Sequence, residues 1–171
     1  MARGRKKSGD DGSRMRFERV RSARGRRLSS TLWLQRQLND PYVQAAKRDG
    51  YRSRAAYKLL QIDERFELLT RGKRVVDLGA APGGWTQIAV DRVESEDNAK
   101  SVVAIDILEM EPLAGAEVLV GDIEDEAAVS RLREAIGTRV DLVLSDMATS
   151  TTGHASTDHL RTLALAEAAF V

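Results

Sequence analysis

A parallel α/β sheet flanked by helices is the architecture predicted by this 171-residue sequence. Three observations carry it: short, continuously apolar runs, helical stretches between them, and a Gly-rich loop directly after the first run. The runs are RVVDLG (74–79), SVVAID (101–106), AEVLVGD (116–122) and RVDLVLSD (139–146). Strands buried on both faces read as unbroken apolar segments, whereas a strand with one wet face alternates. The chain is the size of one domain and long enough to bury a real core.

Ahead of the first strand the chain changes character twice. Residues 1–30 hold 11 Lys and Arg against three Asp and Glu, a balance of about +8. The rest holds 16 basic and 23 acidic residues, so the net charge of +1 conceals a basic arm on an acidic body. MARGRKKSGDDGSRMRFERVRSARGRR (1–27) has no apolar periodicity and is expected to be disordered without a partner, which its charge predicts to be a polyanion. A solubilising tail is the plainer reading, and a mitochondrial transit peptide a lesser one because of Asp10 and Asp11. Order is expected from residue 30. Ser30 can cap a helix over Thr31–Leu38, Asn39-Asp40-Pro41 breaks it, and Pro41 opens a second helix that closes at Gly50. Ser53 is the expected N-cap of the clearest helix, within YRSRAAYKLLQIDERFELL (51–69). There Ala55, Leu59, Ile62 and Phe66 form an apolar stripe, and Arg54, Lys58 and Arg65 a basic flank. GWTQIAVDRV (84–93) follows the Gly-rich loop as a helix, and EDEAAVSRLREAIG (124–137) is another, with Leu132 and Ile136 at i, i+4 spacing.

Composition removes several chemistries. The absence of cysteine excludes a disulfide framework, a thiolate metal site and a Cys nucleophile, and fits a reducing cytoplasm. No apolar run approaches membrane-spanning length. His154 and His159, five apart and without Cys, read as surface residues and not as a zinc pair, so no metal is expected.

The acidic residues locate a site. Asp77, Asp106, Asp122 and Asp146 fall at or just after the ends of the four strands, where parallel sheets bind ligands. Any one of them could cap a turn. Four in succession beside a Gly-rich loop point to a shared site, and a row of acids suits a ligand with hydroxyls, an amine or a positive charge. In DLGAAPGGW (77–85), Gly79 allows a sharp turn off the strand, Gly83-Gly84 allow a ligand to approach the backbone, and Pro82 stiffens the loop. The G-x-x-x-G-G spacing departs from the G-x-G-x-x-G of dinucleotide sites, and the Lys and Ser/Thr of a P-loop are missing. The loop, Asp106 and Gly121-Asp122 together match an S-adenosylmethionine site, in which the loop faces the methionine part and acids take the ribose hydroxyls and the adenine amine.

RSRAAYKLLQID (52–63), VVDLGAAPGGWTQ (75–87), Gly121-Asp122 and LSDMA (144–148), in this order and spacing, resemble the FtsJ-like (RrmJ-type) family of ribosomal RNA large-subunit methyltransferases, from about Trp33 onward. The resemblance implies the Rossmann-like S-adenosylmethionine-dependent methyltransferase fold, with a parallel sheet flanked by helices. It also implies 2′-O-methylation of a uridine ribose in 23S (large-subunit) ribosomal RNA, on the assembled 50S subunit, by a cytoplasmic monomer without membrane contact. Carried over by position, Gly83 and Trp85 contact the methionine end of the cofactor, Asp106 the ribose and Asp122 the adenine. Asp146 lies near the transferable methyl, and Lys58 matches the family's first catalytic lysine. Methyl transfer from a sulfonium is an in-line displacement, so alignment carries much of the catalysis. The ribose hydroxyl needs its proton removed or its developing charge stabilised, which a cation oriented by a carboxylate provides.

Two departures from the family pattern stand out. Thr149, followed by STTGH, replaces the more usual Pro after SDMA. The sequence stops at Val171 within the apolar run TLALAEAAFV, so residues 30–171 are expected to be the N-terminal portion of a single methyltransferase domain behind a basic arm over 1–29. A further catalytic Lys and Glu are then expected beyond residue 171. Two rival readings are an RNA-binding module without catalysis and a nucleotide-dependent oxidoreductase, the latter disfavoured by the loop spacing.

Overall fold

A computed structural model describes residues 28–95, 101–137, 139–147 and 154–168. The basic stretch 1–27 and the segment 148–153, with Thr149, lie outside the described residues. The chain divides into two units, residues 1–41 and 42–171. In the first, helix α1 (Leu28–Leu38) ends where the Asn39 side-chain amide donates to the carbonyl of Gln35 at 2.7 Å. This helix begins two residues before the expected cap Ser30. A cap requires an extended backbone, and at Ser30 the chain is already helical.

The second unit is built on four parallel strands, β1 (Val75–Leu78), β2 (Val102–Asp106), β3 (Ala116–Val120) and β4 (Leu142–Ser145), in the order β3-β2-β1-β4. β1 is flanked on both sides, with Val75 opposite Val102 on β2 and Leu142 on β4. Side chains alternate between the sheet faces, and helices cover both. On one face Val75, Val102 and Leu144 pack with Leu59 of α3 (Ala55–Phe66) and Trp85, Ile88 and Val93 of α4 (Gly84–Val93). On the other, Val76, Leu78, Val103 and Ile105 pack with Ala128 and Ile136 of α5 (Glu126–Ile136), and Leu132 joins them from the edge. The expected α/β class is the observed one. α2 (Pro41–Asp49) opens on its proline, and α4 covers the same ten residues as the apolar pattern. α6 (Ala155–Ala168) leaves Leu160 and Leu163 exposed. Among the described residues no helix is long and apolar enough to cross a membrane, and no His, Asp or Glu group could hold a metal ion.

Three local expectations change. The N-cap of α3 is Arg54, which makes no side-chain cap bond, while the carbonyl of Ser53 accepts from Ala56 and its hydroxyl lies against Gly84. The buried stripe of α3 is Ala56, Leu59 and Asp63, and Phe66 is turned out beneath the Arg65 guanidinium. Asp63 is buried because its carboxylate accepts the Leu69 N–H at 2.7 Å, closing the turn after α3. Asp77 is not at a strand end. It is the third residue of β1, and it points into the core.

Candidate active site and family

The Gly-rich loop runs from β1 into α4 with its first amides tied down, since Gly79 and Ala80 donate to the Ile105 carbonyl at 2.9 and 3.2 Å. Gly83 caps α4 with a φ of +103°, a conformation costly to any residue with a Cβ. The glycines serve the chain's own packing. A Cβ on Gly79 would lie 2.4 Å from Cγ of Met147, and one on Gly84 2.1 Å from Oγ of Ser53. At Gly83 the Arg52 side chain occupies that role at 3.0 Å. The atoms nearest these glycines belong to side chains that precede α3 or follow β4.

Each strand-end carboxylate has a distinct setting. Asp106, half-buried at the end of β2, accepts the Ala81 N–H through Oδ2 at 2.9 Å and the Leu108 N–H through Oδ1 at 2.8 Å. It therefore holds the Gly-rich loop while keeping lone pairs for a ligand. Asp122, two residues past β3, is exposed and accepts the Glu124 N–H at 2.9 Å. Asp146, just after β4, pairs with the Lys58 ammonium from α3. That ammonium stands 5.5 Å from the centroid of the Trp85 ring, whose indole N–H donates to the Ala55 carbonyl at 2.8 Å. Lys58, Trp85 and Asp146 thus form one cluster, and Asp106 with the loop forms a second. Asp122 sits apart on the neighbouring strand end.

Asp77 lies beneath the two clusters. Its carboxylate accepts the Thr86 hydroxyl at 2.6 Å. Burial pushes its carboxyl up to about 7; the charges of Asp146 and Asp106 add to the rise, and the Thr86 bond opposes it. A carboxyl at this position joins β1 to the first turn of α4 and so fixes the loop between them. Arg52 supplies a second fixing point that no sequence pattern marks. Its guanidinium donates to the carbonyls of Glu111 and Pro112 at 2.6 and 2.7 Å, and its backbone N–H donates to the Gln87 side chain at 3.1 Å. Gln87 in turn donates to the Gly50 carbonyl at 3.0 Å. The segment before α3 is thereby held to α4 and to the loop after β2. Only the Arg of RSRAAYK and the Gln of GGWTQ could have signalled it, and neither type implies a partner from elsewhere in the chain.

The model of the family described as FtsJ-like methyltransferase matches residues 51–171. The chain is 63% identical over 164 residues to the ribosomal RNA large subunit methyltransferase E of Rhodospirillum rubrum, covering 95% of this chain and 62% of that protein. It is 60% identical over 160 residues to the protein of the same name from Paramagnetospirillum magneticum, with coverage of 92% and 66%. A Plasmodium falciparum crystal structure, described as a candidate ribosomal RNA methyltransferase, superposes with a TM-score of 0.61 at 31% identity, covering 69% of this chain and 68% of that one. The chain thus spans somewhat less than two thirds of the length of these curated relatives. With the family model covering every element from the start of α3 through the strand-end acids, this chain belongs to the FtsJ-like methyltransferase family.

Proposed function

We propose that the chain forms the cofactor-binding part, and two of the catalytic residues, of an S-adenosylmethionine-dependent ribosomal RNA methyltransferase. The target is the 2′-hydroxyl of a uridine ribose in 23S ribosomal RNA, on the assembled 50S subunit, and the enzyme works as a cytoplasmic monomer. The observation that carries this reading is the Lys58–Asp146 pair against Trp85, beside a loop anchored by Asp106. The names of the relatives support the substrate class.

The donor set fits the cofactor. Asp106 retains acceptor capacity for ribose hydroxyls, Asp122 is exposed for the adenine amine, and Gly83 and Trp85 border the place of the methionine end. Acids at three strand ends suit a sulfonium and repel the pyrophosphate of a dinucleotide. S-adenosylmethionine, when bound, supplies an activated methyl group. The chain's own residues then act on the ribose. Asp146 orients the Lys58 ammonium, which stabilises negative charge as it develops on the 2′-oxygen. Trp85, buried and bonded to Ala55, keeps that ammonium on one side of the site. The proposal includes a further catalytic Lys and Glu beyond residue 171.

Two measurements test this. Calorimetry on the chain is expected to detect S-adenosylmethionine binding and no binding of a nicotinamide dinucleotide; the reverse result would restore the oxidoreductase reading. A chimera completed with the remaining segment of the Rhodospirillum rubrum relative is expected to transfer labelled methyl to undermethylated large ribosomal subunits. RNA binding without transfer by the chimera would favour the non-catalytic module.

A further inference from the structure

The chain contains three tyrosines, and all three meet in one cluster. Tyr42 lies in the first turn of α2, Tyr51 in the connection after it, and Tyr57 on α3. The Tyr57 ring stands 5.4 Å from Tyr51 in an edge-to-face contact and 5.9 Å from Tyr42, tilted by 57°. Its hydroxyl donates to Asp49 at 2.6 Å, and the same carboxylate accepts from Arg48 at 2.9 Å. The central ring is therefore locked in place. Tyr51 and Tyr57 are half-buried, whereas Tyr42 remains 56% exposed.

Charge distinguishes this surface from the rest of the body. Residues 42–58 hold five basic side chains and one acidic, whereas the other residues after 30 hold 11 basic and 22 acidic. Lys47, Arg48 and Arg54 are exposed and adjoin the tyrosines in the chain, and Arg48 shares the Asp49 carboxylate with Tyr57. Lys58 follows Tyr57 directly on α3, about 100° round the helix. Tyr57, the centre of the cluster, and Lys58 of the Lys58–Asp146 pair thus share one helical turn. Exposed aromatic faces set among cations are the chemistry that holds unpaired nucleotides, by base stacking and phosphate neutralisation.

We propose that Tyr42, in ring contact with Tyr57 and in a segment that carries the exposed Lys47, Arg48 and Arg54, is a stacking site for an unpaired nucleotide of the substrate RNA, next to the nucleotide whose ribose faces Lys58. This rests on the proposed RNA methyltransferase function and adds a subsite to it. The ring supplies a face that any base can stack on, so the site positions the strand without reading its sequence. The cations of the segment fix the phosphates on either side.

The test is binding of a fluorescent, single-stranded, uridine-rich RNA oligonucleotide to the 171-residue chain, with a duplex RNA of equal length alongside. Tyr42→Ala is expected to weaken single-strand binding by about 5- to 100-fold, the range set by loss of one base–aromatic stack. Tyr42→Phe, which keeps the ring, is expected to bind like the parent, and duplex binding is expected to be unchanged in both. Lys47→Glu, at an exposed helix end where folding is not at stake, is expected to weaken binding and reduce its salt slope by about one. Equal single-strand affinity in the parent and Tyr42→Ala would overturn the proposal, as would an equal loss in Tyr42→Phe. S-adenosylmethionine affinity measured on the same proteins separates the two claims. A parent that binds RNA through Tyr42 but ignores the cofactor sinks the methyltransferase reading and leaves the stacking site standing.

Discussion

An exposed lysine on a helix flank is normally replaced by alanine at little cost, because alanine is a strong helix former. Lys58 is expected to keep that tolerance in stability and lose it in activity. In the completed chimera, Lys58→Ala should lower single-turnover methyl transfer by roughly 10²- to 10⁴-fold, with melting temperature and cofactor affinity little changed; transfer at the parental rate would return the residue to the helix surface. Asp106→Ala should weaken S-adenosylmethionine binding by about 1–3 kcal/mol through loss of a charged acceptor, and Asp122→Ala by less. Unaltered affinity on calorimetry would remove Asp106 from the cofactor site. Asp77 behaves in the opposite manner, because burial raises its carboxyl to about 7 while the unfolded chain titrates near 4. The native state therefore holds this proton more tightly. The stability it confers is full below about pH 4 and is lost as the pH rises through about 7. Asp77→Asn, which can still accept from Thr86, should flatten that decline in a series of thermal melts between pH 4 and 8. Parallel curves for the two proteins would assign the decline to other groups.

At the level of elements, the Gly-rich loop is a packing device before it is a ligand device. Gly84→Ala forces a methyl against the Ser53 hydroxyl and is expected to destabilise the protein by about 1–3 kcal/mol. Adding Ser53→Ala removes the closest atom and should recover part of the loss, which a double-mutant cycle on denaturant midpoints would measure. Simple additivity would mean that the two positions do not meet. The apolar runs made the four strands, α4 and α5 legible because each element's burial pattern is written within its own residues. The acids at the ends of β2, β3 and β4 were legible for the same reason, since strand length alone places them. Ser53, Asp63, Asp77 and Arg52 were misread or missed, as each is defined by a partner elsewhere in the chain: Gly84, Leu69, Thr86 and the Glu111–Pro112 carbonyls. Helix-cap propensity favoured Ser30 and Ser53, but α1 extends past one, and the other is drawn to Gly84.

Across the whole molecule, charge is divided between a basic N-terminal stretch and an acidic body with one basic enclave at α2 and α3. Removing residues 1–27 is expected to flatten the salt dependence of RNA binding, by about 0.7 in slope for each phosphate no longer neutralised on a single strand. The stacking contribution of Tyr42 should survive the deletion. Identical slopes with and without those residues would make them a solubilising tail. The Lys58–Asp146 pair also sets a schedule, since Lys58 on α3 and Asp146 after β4 stand 88 residues apart, and β4 is the last of the four described strands to be synthesised. The β1–β2 ladder, the Gly-rich loop and its Asp106 anchor are all complete in sequence some 40 residues before Asp146 emerges from a translating ribosome. A nascent chain can therefore form its cofactor loop while Lys58 still lacks its carboxylate. The pair itself forms only when β4 docks beside β1, which makes it a built-in report that the four described strands have come together.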